Sequence, residues 1–106
     1  MKHVIVEPGV CGLTADVRAE AEAGGQLKLT VDTKCKAIEQ MVADLGDDLS
    51  AYAFLGLTGE QPLLETARVN YKIHAACPTL AGITKCVEAE AGMALPRDAS
   101  IRFIAD

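Results

Sequence analysis

Four cysteines stand at positions 11, 35, 77 and 86, and one of them, Cys77, is followed directly by Pro78. Proline suits the first position of a helix, where its missing N–H costs nothing and its fixed φ is already helical. The spacing therefore predicts a helix that opens at Cys77-Pro78, with Cys77 as its N-cap. A sulfur at that point faces unpaired backbone N–H groups and the positive end of the helix dipole, which favour thiolate over thiol. Cys35 falls in the first turn of an earlier predicted helix between Lys34 and Lys36, whose charges act in the same sense. Cys11 precedes Gly12 in a turn, and His74 lies three residues before Cys77.

These side chains need a scaffold that brings them together. His3–Glu7 reads as a first strand ended by Pro8-Gly9, and from Leu13 to Glu22 apolar and polar residues alternate, as a strand with one buried face requires. Gln26–Asp32 alternates again after Ala23-Gly24-Gly25, which predicts a hairpin. With Gly24-Gly25 as a two-residue turn, paired positions sum to 49, so Thr14 faces Cys35 and Cys11 lies just beyond. Asp32 or Thr33 can cap a helix with Ile38, Met41, Val42 and Leu45 on one stripe, stopped by Gly46-Asp47-Asp48. Residues 49–57 are apolar without a clear period. Pro62 starts a helix running to about Lys72, and Leu80, Ile83, Val87 and Ala91 form the core stripe of the Cys-Pro helix, with Gly92 as its C-cap. Ser100–Ile104 reads as a last strand joining the sheet. The fold class is α+β, a single domain over 1–106 in the order β-β-β-α-α-α-β, with a mostly antiparallel sheet and helices on one face.

On this scaffold Cys11, Cys35, Cys77 and His74 converge at one end of the sheet if both helices begin there. Cys86 lies nine helical residues from Cys77, about 13 Å away, and reads as a packing residue or spare thiol. Three functions suit the arrangement. The first is a metal site, zinc or an iron–sulfur cluster, held by Cys11, Cys35 and Cys77 with His74 as fourth ligand. The second is a thiol or persulfide carrier using Cys77 as nucleophile, with Cys35 or Cys11 resolving it. The third is a non-catalytic interaction module whose cysteines only pack.

Composition narrows the field. Half of the 106 residues are apolar, with two Phe, two Tyr and no Trp, and the net charge is −5. Scattered basic residues on an acidic chain and so few aromatics exclude nucleic acid as a partner. No apolar run approaches the roughly 20 residues of a membrane helix, and the N-terminus lacks a signal-peptide pattern, so a cytoplasmic protein with reduced thiols is expected. An acidic domain of this size can pair through an exposed sheet edge, with a second copy or another protein.

The early Cys11-Gly12, Cys35 after the third strand, His74-x-x-Cys77-Pro78 and the Leu95-Pro96-x-Asp98-x-x-Ile101 ending together resemble a small family of uncharacterised prokaryotic proteins of unknown function. The resemblance implies a fold and a cysteine set but no activity. Cys77-Pro78 is also similar to the Cys-Pro-x-Pro of small sulfur-carrier proteins, although Leu80 stands in place of the second proline.

Overall fold

The structure, a computed structural model, describes residues 1–47 and 49–105. Three long strands, β1 (Lys2–Val6), β2 (Ala15–Ala21) and β3 (Gln26–Thr33), and a two-residue strand β4 (Leu49–Ser50) form one sheet in the order β1-β2-β3-β4. Every neighbouring pair is antiparallel. The helices are α1 (Lys36–Leu45), α2 (Ala51–Phe54), α3 (Leu63–Ala67) and α4 (Pro78–Glu90). The fold is α+β.

Alternation along the strands sorts the two faces. Val6, Ala15, Val17, Ala19, Leu27 and Leu29 point to one side and are buried, while His3, Ile5, Arg18, Glu20, Lys28, Thr30 and Asp32 point to the other and are exposed. The buried side is covered by α4 lying over β1 and β2 and by α1 against β3, closing a core around Ile38, Met41, Phe54, Leu64, Ile83, Cys86 and Val87. The expected α1 stripe holds, with Ile38 and Met41 buried and Val42 and Leu45 packed at its edge.

The hairpin differs from the two-residue turn by one residue. Ala21 pairs with Leu27, Val17 with Val31 and Ala15 with Thr33, so partners sum to 48 and the connection is a short 3-10 turn over Ala23–Gly25. The physical reason is register: this pairing sets apolar residues opposite apolar ones, whereas a one-residue slip would put Val17 beside Asp32. Gly24 and Gly25 both take φ near +75°, at 75° and 77°, which glycine alone adopts at little cost.

Three further expectations are corrected. The cap of α1 is Cys35, not Asp32 or Thr33, because β3 extends through Thr33; Thr33 instead accepts the Cys35 N–H on Oγ1 at 3.2 Å. The helix from Pro62 ends at Ala67, and a 3-10 turn over Arg68–Asn70 precedes an extended Tyr71. Ser100–Ile104 joins no sheet: residues 91–105 carry no strand and are exposed throughout. The fourth strand is Leu49–Ser50, which leaves the order β-β-β-α-β-α-α-α. Gly46 ends α1 with φ 75°, while Asp48, assigned to the same stop, lies outside the described residues. No helix among the described residues is long and apolar enough to cross a membrane.

Candidate functional site

The direction of α4 is fixed by three contacts along its length. Gly82 lies against Val6 at the end of β1. One turn on, the Cys86 thiol donates to the carbonyls of Lys2, at 3.4 Å, and Val17, at 3.8 Å. At the helix's end, Glu90 accepts the Ala21 N–H at 2.8 Å and pairs with the terminal amine of Met1 at 3.5 Å. The helix thus runs antiparallel to β1, and its N-terminus projects past the Val6 end. Val6 pairs with Ala15 and Ala15 with Thr33. The β1–β2 loop carrying Cys11, the entry to α1 at Cys35 and the entry to α4 at Cys77 therefore share one end of the sheet.

Both helix-opening cysteines are true N-caps with extended backbone, Cys35 at φ −71° and Cys77 at φ −64°. Pro78 occupies the first helical position of α4 as its sequence requires. Neither sulfur accepts a capping hydrogen bond, so the first-turn amides and the dipole act on it only at longer range. Cys35 and Cys77 are half-buried and packed on the core, whereas Cys11 is exposed. Among the described residues, no three His, Cys, Asp or Glu side chains form a set able to hold a metal ion. A shallow hollow of about 300 Å³ at this end is lined by Gly12, Leu13, Thr14, Asp32, Thr33 and Lys34, the segments adjoining Cys11 and Cys35.

One participant was not legible in the sequence. The Arg68 guanidinium donates to the His74 carbonyl at 3.4 Å, the same oxygen that accepts the Cys77 N–H at 3.2 Å. A cation is thereby fastened to the turn that presents Cys77, while the exposed His74 contributes its backbone. Only the irregular return of the chain after α3 brings Arg68 there. Three residues before His74, Tyr71 donates its hydroxyl to Asp44 on α1, tying the Cys77 approach to the helix that Cys35 opens. The bond holds Asp44 below the usual carboxylate range and pushes the Tyr71 hydroxyl up.

Cys86 lies apart from these groups, fully buried. Burial pushes its thiol up, the environment of a packing cysteine. A second cavity, about 210 Å³, opens at the opposite end of the sheet between Leu27, Tyr52, Leu55, Val87 and Met93.

A four-stranded antiparallel sheet covered on one face, with two cysteine-capped helices starting at one end, defines a small α+β domain with a thiol-bearing rim. The chain belongs to a family of unknown function, DUF6951, whose model matches residues 2–103. Neither a curated protein nor a solved structure matches it.

Proposed function

We propose that the protein carries out thiol chemistry at Cys77, as a sulfur carrier or redox thiol. The observation that supports this most is the shared end of the sheet: Cys77 and Cys35 both cap helices there, and Arg68 is anchored at the Cys77 turn. As a carrier, the Cys77 thiolate attacks the outer sulfur of a low-molecular-weight persulfide. The donor's S–S bond breaks, the donor leaves as its thiol, and Cys77 holds the transferred sulfur as a persulfide. Cys35 or Cys11 can then attack the inner sulfur of that persulfide, forming a disulfide with Cys77 and expelling hydrosulfide.

Incubation with a persulfide donor followed by mass spectrometry tests the reading. A gain of one sulfur at Cys77, absent in Cys77→Ser, is expected, together with alkylation of Cys77 faster than that of the more exposed Cys11 at neutral pH. A Cys77 that reacts no faster than a model thiol and gains no sulfur overturns it, and cysteine-to-alanine changes that alter stability alone would point to an interaction module.

A second reading, carried by the shared end of the sheet alone, is zinc or an iron–sulfur cluster held by Cys11, Cys35, Cys77 and His74, side chains that do not form a metal-holding set in this structure. Native mass spectrometry and an anaerobic visible spectrum after loading test it. An unaltered melting temperature in added zinc or iron counts against it.

A further inference from the structure

The chain contains an open strand edge and a strand-like segment with nothing on it. β1 is the last strand of the sheet and, among the described residues, pairs only with β2. Its outer edge, Lys2–Val6, carries Lys2 and His3 at its start and Val4, Ile5 and Val6 beyond them, with no proline. Native sheets rarely leave such an edge uncovered. Ser100–Ile104 has the alternation and β-branched and aromatic content of a strand, yet Ile101 is 88%, Phe103 104% and Ile104 86% exposed. The family model continues through residue 103.

We propose that two copies of this chain form a two-fold dimer in which Ser100–Ile104 of each adds as a strand to the β1 edge of the other. Five residues meet five. The segment leaves α4 beside the start of β1, where Glu90 is bonded to Met1, and the connector 92–99 turns tightly at Pro96, with the Arg97 N–H donating to the Leu95 carbonyl at 2.9 Å. Pairing places Ile101 and Phe103 on the α4-covered side of β1 with Val4 and Val6, and Arg102 and Ile104 on the open side with Asp16 and the 54% exposed Ile5. The exchange is isologous, so it closes at two copies.

Light scattering on the full chain at tens of micromolar tests this, with amide hydrogen exchange on the same samples. The expected mass is twice the 11.2 kDa of one chain, falling to a single chain in Phe103→Asp and Ile101→Asp. Both positions are fully exposed in one chain, so the monomeric variants remain folded. Amides of residues 2–6 and 101–104 are protected in the parent and lose that protection in the variants. A monomeric parent overturns the proposal, whether its tail amides exchange freely or are protected by folding onto their own edge. So does a dimer that survives both substitutions. The outcome is separate from the Cys77 chemistry, which these substitutions leave intact.

Discussion

Two residues on α4 show how single atoms set the seat of this helix. Gly82 has no room for a side chain, because a Cβ there would run into Cγ2 of Val6, itself a stiff β-branched residue at the sheet end. Gly82→Ala gains about 1 kcal/mol of helix propensity but forces overpacking that costs about 1–3 kcal/mol. Net destabilisation is expected, and Val6→Ala in the same chain should recover part of it; urea melts of the single and double variants measure the coupling. Cys86, one turn on, is sealed between α4 and the first two strands. Its alkylation in the folded protein should be slower than in urea by about 10³-fold or more, following the folded-to-unfolded ratio, as timed labelling with peptide mapping will show. That contrast with Cys77 distinguishes a packing thiol from an accessible one.

At the scale of elements, the ends of the helices carry the information. α4 closes in a Schellman motif: Gly92 N–H donates to Ala89 at 3.2 Å and Met93 N–H to Glu88 at 2.8 Å, made possible by φ 75° at Gly92. Gly92→Ala should cost about 1 kcal/mol, seen as a lower denaturation midpoint with unchanged slope. α1 is linked to the Cys77 approach through Asp44 and Tyr71. Asp44 is lowered, so its share of the link is complete above its ordinary value and lost as the pH falls through the depressed one. Tyr71 is raised, so its share is complete below about pH 10 and lost as the pH rises through the elevated value. The link spans the neutral range. Tyr71→Phe should loosen residues 68–77 and change the alkylation rate of Cys77 while leaving that of Cys11 unaltered.

For the molecule as a whole, the opposite end of the sheet is closed by Glu90, which gathers the end of β2, the start of α4's exit and the chain's amino terminus. The Ala21 N–H bond, first among the causes, lowers the Glu90 carboxyl below its ordinary 4.5. Its contribution is present above that pH and disappears as the pH falls through the lowered value. Glu90→Gln should reduce stability at neutral pH by roughly 1 kcal/mol and flatten the acid side of the stability curve, read from thermal melts between pH 3 and 7, a range bracketing the ordinary carboxyl values.

The first three strands, the hairpin, the α1 stripe and both cysteine-opened helices were legible because each is written in local periodicity or in a single capping choice such as Cys77-Pro78. The hairpin register was also legible, since only a pairing sum of 48 keeps Val17, Ala19 and Ala21 opposite Val31, Leu29 and Leu27. Counting the two glycines as the whole turn missed it. Tertiary structure decided the rest. Whether Ser100–Ile104 becomes a strand depends on reaching an edge remote in sequence, and alternation alone does not supply that edge. Arg68 likewise reaches the Cys77 turn through an irregular connection with no period to read. Short-range order follows from the residues themselves, while contacts between distant segments depend on where the packed core sends the chain.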